Sequence, residues 1–140
     1  MLNTTYTVLF KAIVVSIFVL MNKMKVLYAD KEQNNLYAFQ SHFRRNEKYE
    51  VIICSSSEQV EKIIKKVGVN VLIIDQAILE TMGVDFLQVQ NLKGTIVIAV
   101  TANRNFDIID SAVKKGLLFK YHCKPFDLED LNTSIEQALI

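Results

Sequence analysis

From residue 24 onward, short apolar runs alternate with stretches in which apolar residues recur every three or four positions. The stretches with this longer spacing predict amphipathic helices. Apolar runs that alternate with helices are typical of a parallel sheet covered on both faces. The pattern therefore predicts an α/β fold with a doubly wound five-stranded parallel sheet. Its strands are expected at residues 25–29, 50–54, 70–74, 95–100 and 117–122.

Polar residues and glycines between these runs predict where helices begin and end. Ser55 with Glu58 three positions later is a capping-box pattern, and Gly68 is placed to close the helix that follows. Asp127 can cap the last helix. The segment after the third strand is expected to be looser, with a short helix beyond Gly83.

Residues 6–21 form an almost continuous apolar run that is interrupted by Lys11 and Ser16. A membrane-spanning helix usually needs about 20 apolar residues, and this run is 16 residues long. The run therefore predicts either a short membrane anchor or an upstream extension. A strand or helix that packs on the domain is a further alternative, whereas a secretory signal lacks its cleavage site. We therefore divide the chain into an N-terminal segment, 1–23, and a domain, 24–140.

Composition narrows the classes of function. The net charge of +1 argues against a nucleic-acid partner bound through bulk positive charge. The two cysteines, Cys54 and Cys123, have no metal-ligand spacing and indicate a reducing compartment, so we expect a cytoplasmic protein. If residues 6–21 were an anchor, the domain would be tethered to the inner face of a membrane.

Four polar residues follow predicted strands. They are Asp30, Asp75, Thr101 and Lys124, after the first, third, fourth and fifth strands. In open parallel sheets, ligands bind at the carboxyl ends of the strands. The predicted fold therefore brings two carboxylates, a hydroxyl and an ammonium group to one edge of the sheet.

These residues lie in motifs that resemble the receiver domain of two-component response regulators. VLYADKE is similar to the family's first strand and acidic turn, and LIIDQAILETMGVDFL to its acceptor strand and loop. VIAVTA and YHCKPF resemble the fourth and fifth strands. The resemblance covers residues 24–140 and implies a flavodoxin-like sheet with strand order 2-1-3-4-5.

The resemblance also implies a phosphotransfer chemistry. Asp75 would accept a phosphoryl group from a histidine kinase or a histidine phosphotransfer protein. Asp30, Asp75 and the backbone carbonyl of Ala77 would hold a Mg²⁺ ion, which offsets the repulsion between carboxylate and phosphoryl oxygens. Such a chain is not an enzyme, beyond catalysing its own phosphorylation and dephosphorylation.

The same resemblance assigns roles to three further residues. Lys124 would pair with a phosphoryl oxygen, and Thr101 would hydrogen-bond another. Thr101 and Tyr121 would then move, and the altered surface would bind a downstream protein. Because the sequence ends at Ile140, directly after the last predicted helix, we expect the partner to be a separate chain.

One position departs from the family pattern. Lys31 stands where the family has a second metal-binding acid, and an ammonium group there would repel Mg²⁺. Lys31 either pairs with Asp75 in place of the metal or points outward and weakens metal binding, and Glu32 can compensate.

Lys31 also supports a second function, that of a pseudo-receiver that binds proteins without being phosphorylated. A flavin- or nucleotide-binding protein is a third alternative. The turn DKEQNN opposes it, because this turn lacks the glycines and hydroxyls that cradle phosphate.

Overall fold

The computed structural model describes residues 4–102 and 107–140, and the side chains of these residues except 18–21, 107 and 108. Five strands and seven helices lie in this part of the chain. In chain order they are α1 (Thr4–Met21), β1 (Met24–Ala29), α2 (Gln33–Phe43), β2 (Tyr49–Cys54), α3 (Ser57–Lys66), β3 (Val71–Asp75), α4 (Gln76–Met82), α5 (Val84–Leu92), β4 (Ile96–Thr101), α6 (Asp107–Lys114), β5 (Lys120–Cys123) and α7 (Leu128–Ala138).

The strands form one parallel sheet in the order β2-β1-β3-β4-β5, which confirms the predicted topology. Only β5 is shorter than expected. The backbone N–H groups of Leu117 and Leu118 donate to the carbonyl of Ala112 and finish the turn after α6. The chain therefore joins the sheet at Phe119, whose N–H donates to the carbonyl of Val97 at 2.9 Å.

Apolar layers cover both faces of the sheet. Alternate strand residues, such as Leu27 and Tyr28, point to opposite faces, as the period of two requires. One layer packs under α3, α4, α5 and α6, and the other under α2 and α7. The sheet is therefore buried on both sides, and its polar groups are concentrated at the carboxyl edge.

Two predicted helix signals were wrong in detail. Ser56, rather than Ser55, caps α3, because its extended backbone turns its hydroxyl toward the N–H of Gln59, at 3.2 Å. Gly68 does not close this helix with a left-handed residue. The helix ends instead at Lys66, because the extended backbone of Val67 stops the helical turn.

The segment after β3 was predicted to be loose, but it forms helix α4. Its residues Ile78 and Leu79 are buried against the sheet, and this burial favours a helix over an open loop. Gly83, with φ of 82°, separates α4 from α5 in a backbone conformation that other residues rarely adopt. At its other end, α4 begins at Gln76, the residue directly after Asp75.

The apolar N-terminal run forms the helix α1 rather than a strand. A helix satisfies its own backbone hydrogen bonds, so it needs no neighbouring strand. Its large apolar side chains from Tyr6 to Ile17 are exposed. Within the described part of the chain, no helix is both long enough and apolar enough to span a membrane.

Candidate functional site

The carboxyl edge of the sheet brings together the four polar residues that follow the predicted strands. Asp30, Asp75, Thr101 and Lys124 line one cleft of about 360 Å³. Asp75 and Thr101 are the last residues of β3 and β4, and the other two follow β1 and β5. Parallel strands place residues from distant parts of the sequence at one edge in this way.

Lys124 is the centre of the acidic side of this cleft. Its Nζ atom lies 2.8 Å from Asp30 Oδ2, 3.0 Å from Asp75 Oδ1 and 3.5 Å from Glu32 Oε1. The Lys124 side chain is only 10% exposed. Burial alone would lower the pKa of Lys124, but the hydrogen bonds to Asp30 and Asp75 raise it above its usual value. The ammonium group therefore stays charged and holds the two aspartates together.

Asp30 is completely buried and accepts several hydrogen bonds. Tyr28 donates its hydroxyl to Oδ2 at 2.5 Å, and the backbone N–H of Glu32 donates to Oδ1 at 2.9 Å. Burial by itself would raise the pKa of Asp30, but the bonds from Lys124 and Tyr28 hold it below its usual range. The pKa of Tyr28 is raised, first by burial and then by its bond to Asp30.

Tyr28 was not among the residues predicted for this site. A signal was present, because residues two apart on an extended chain face the same side of a sheet. A buried tyrosine hydroxyl also needs a hydrogen-bonding partner. Tyr28 and Asp30 satisfy both conditions.

The residues after Asp30 point in different directions. Glu32 faces the cleft, and its carboxylate also accepts a hydrogen bond from Asn35 Nδ2 at 3.2 Å. Lys31 lies at the rim of the cleft and is exposed, and no described acidic group lies within ion-pair distance of it. Asp75 pairs with Lys124, so the pairing of Lys31 with Asp75 is not the arrangement in this structure.

The other side of the cleft contains a neutral hydrogen bond. Thr101 Oγ1 donates to Gln76 Oε1, and both residues are buried. Gln76 Nε2 in turn donates to Glu80 Oε1 at 2.9 Å, one turn further along α4. Sequence reasoning missed Gln76 and Glu80, although Gln76 directly follows Asp75 and the spacing of four is that of helical neighbours.

Ala77 and Tyr121 occupy positions that the resemblance assigned to metal binding and switching. Ala77 lines the cleft but lies in α4, where its carbonyl accepts a hydrogen bond from Thr81 Oγ1 at 3.2 Å. Tyr121 is half-buried on β5, against the apolar layer under α3 to α6. The carbonyl of Ala77 is thus engaged within its helix.

The chemistry of the cleft fits a divalent cation. The four carboxylates that line the cleft outnumber its two ammonium groups by two, and carboxylate oxygens are the ligands that Mg²⁺ prefers. Within the described residues, however, no three His, Cys, Asp or Glu side chains are arranged so that they could hold a metal ion together. Asp30, Asp75 and Glu32 instead surround the ammonium group of Lys124.

Comparisons with known proteins agree with the fold of this chain. Residues 26–136 match the family model described as the response regulator receiver domain. A search of curated proteins gave no match. A response regulator receiver domain protein from Clostridium thermocellum has a similar structure, with a TM-score of 0.70 and 27% identity over 82% of this chain and 93% of that one.

Two more distant structures share the fold. The signal receiver domain of an HD domain-containing protein from Pseudomonas fluorescens Pf-5 gives a TM-score of 0.74 at 20% identity, over 84% of this chain and 88% of that one. A CheY-like receiver domain protein from Methanospirillum hungatei JF-1 gives 0.71 at 22% identity, over 84% and 94%.

Proposed function

This chain belongs to the response regulator receiver-domain family, and we propose that it is a phosphoacceptor switch of a two-component phosphorelay. Asp75 is the proposed acceptor. The observation that carries the proposal is the position of Lys124 Nζ, which bridges Asp75 and the buried Asp30 at the carboxyl edge of the sheet. A cation beside the acceptor is the group that a transferred phosphoryl needs.

In the proposed step, a carboxylate oxygen of Asp75 forms a bond to phosphorus. The phosphorus–nitrogen bond of a phosphohistidine on a histidine kinase or histidine phosphotransfer protein breaks, and the imidazole nitrogen keeps the electron pair. Lys124 then pairs with a phosphoryl oxygen as a point charge. Thr101 lines the same cleft, where its hydroxyl can donate a hydrogen bond to a second phosphoryl oxygen. The chain thus acts on itself rather than as an enzyme on other substrates.

We propose that Asp30 and Asp75 hold Mg²⁺, with Glu32 as the third carboxylate in place of the acid that Lys31 replaces. When bound, Mg²⁺ offsets the repulsion between the acceptor and the phosphoryl oxygens. Ala77 can contribute its carbonyl only if that oxygen turns away from Thr81 and out of its helical position. Its role as a ligand therefore stays a prediction.

The proposed output is a contact with a downstream protein. Phosphorylation adds negative charge and strong acceptor oxygens at one point, and neighbouring groups such as Thr101 and Tyr121 would rearrange around it. A cytoplasmic location and membrane tethering through α1 stay predictions, as does the division of the chain at residue 23.

A second candidate function is a pseudo-receiver that binds proteins without being phosphorylated. Two observations favour it: Lys31 replaces a metal-binding acid, and the Ala77 carbonyl is engaged within α4. The two functions make opposite predictions for covalent modification of Asp75.

The test is the intact mass of the full chain after incubation with acetyl phosphate, with and without Mg²⁺. We expect one phosphoryl group to be added in the presence of Mg²⁺, and none in Asp75→Asn. Asp110→Asn, which removes an exposed carboxylate on α6, is the matched control and should be modified like the wild type. No gain of mass in the wild type under any condition would favour the pseudo-receiver.

A further inference from the structure

The amide of Gln76 has only one orientation that suits both of its partners. A glutamate carboxylate only accepts hydrogen bonds, so the NH₂ group of Gln76 must face Glu80, where the distance is 2.9 Å. The amide oxygen therefore faces Thr101. Because that oxygen is only an acceptor, the Thr101 hydroxyl must be the donor.

A threonine hydroxyl has a single proton. It can be donated to the Gln76 oxygen or to a phosphoryl oxygen on Asp75, but not fully to both. We propose that Gln76 is a positioning residue that competes with the phosphoryl group for the hydroxyl proton of Thr101. This inference rests on the proposed function of Asp75 and Thr101, and names a residue that regulates it.

Burial gives this competition a measurable cost. Gln76 is 7% exposed and Thr101 is 1% exposed, so water replaces their hydrogen bond only in small part when it breaks. A buried acceptor that loses its partner is destabilised by its desolvation. Glu80 adds to the cost, because it keeps the amide oxygen turned toward Thr101. The hydrogen bond therefore favours the unphosphorylated arrangement.

The test compares Gln76→Met with the wild type in the full chain. Methionine has a similar length but provides no strong acceptor for the Thr101 hydroxyl. With acetyl phosphate and Mg²⁺, we expect the steady-state ratio of phosphorylated to unphosphorylated chain to rise about threefold to tenfold, the range for loss of one competing hydrogen bond. Gln88→Met, on the exposed face of α5, is the matched control and should leave the ratio unchanged.

A second comparison separates competition from a structural effect of the methionine. In a Thr101→Val background there is no hydroxyl proton to compete for, so Gln76→Met should no longer change the ratio. A rise of the same size in that background would overturn the inference, and so would an unchanged ratio when Thr101 is present.

The outcomes also distinguish this inference from the proposed function. Equal phosphorylation of the wild type and Gln76→Met would overturn the role of Gln76 and leave Asp75 as the acceptor. Phosphorylation of Gln76→Met alone would support the inference strongly. If neither chain were phosphorylated, the proposed function would fall and the inference with it.

Discussion

The cleft has an acidic side, where Lys124 contacts Asp30, Asp75 and Glu32, and a hydroxyl side, where Thr101 contacts Gln76. The two sides are built from interactions of different strength. On the acidic side, Lys124 connects two carboxylates through charged hydrogen bonds of 2.8 and 3.0 Å. On the hydroxyl side, Thr101 and Gln76 share a neutral hydrogen bond. Charge-assisted hydrogen bonds are roughly twice as strong as neutral ones. The comparison teaches that one edge of a sheet can combine a strong charged contact with a weaker neutral one.

The two sides also differ in their dependence on pH. The pKa of Asp30 is lowered, so its contribution to stability is present above its ordinary value of 3.8 and is lost as pH falls through the folded value. The pKa of Lys124 is raised, so its contribution is present below 10.5 and is lost as pH rises through the folded value. A neutral hydrogen bond between threonine and glutamine has no such dependence.

Removal of Lys124 should break the acidic side most strongly. Lys124→Met leaves two carboxylates at the buried edge without their cation, and we expect the free energy of unfolding to fall by about 3 kcal/mol at pH 7. Urea unfolding of the full chain measures the change. Lys115→Met, which removes an exposed ammonium group beyond α6, is the control and should change stability by less than about 0.5 kcal/mol.

The pH dependence provides the sharper half of this test. The pKa of Asp30 is lowered, so the stability that it gains from Lys124 is lost as pH falls below 3.8 toward the folded value, and the difference between wild type and Lys124→Met should narrow. A difference of constant size down to pH 3 would show that Lys124 stabilises the fold through packing rather than through its ion pairs.

A smaller effect is expected when the hydroxyl of Tyr28 is removed. Tyr28→Phe keeps the buried ring but removes a donor to the ionised Asp30, so stability should fall by about 2 kcal/mol. Tyr37→Phe, on the exposed surface of α2, is the matched control and should be near neutral. If both variants were equally stable, the hydroxyl of Tyr28 would contribute nothing to holding Asp30.

The sequence was most informative about the sheet and about the residues at its edge. The first signal is the short apolar runs, which indicate where the strands lie. The second is the rule that ligands bind at the carboxyl ends of parallel strands, which identifies Asp30, Asp75, Thr101 and Lys124. Both signals are local, because a strand and the residue after it lie together in the sequence. The family resemblance then supplied an expected role for each residue.

The contacts that depend on side-chain direction could not be predicted in the same way. Tyr28 looks like an ordinary strand residue, and its hydroxyl reaches Asp30 only because both face the same side of the sheet. Gln76 contacts Thr101 across 25 positions of sequence, and this requires a helix to begin directly after Asp75. The sequence indicated a loose segment there, because burial of Ile78 and Leu79 is a tertiary effect.

The smallest expected effect concerns Lys31, at the exposed rim of the acidic side. Lys31→Asp replaces a repelling ammonium group with a carboxylate, so it should tighten Mg²⁺ binding, which isothermal titration calorimetry of the full chain measures. Solvent screens exposed charges, so we expect a gain of only about twofold to fivefold. Lys62→Asp on α3 makes the same change of net charge away from the cleft and should have no effect. An equal gain in both variants would point to overall charge, whereas a gain in neither would show that Lys31 does not lie at the metal site.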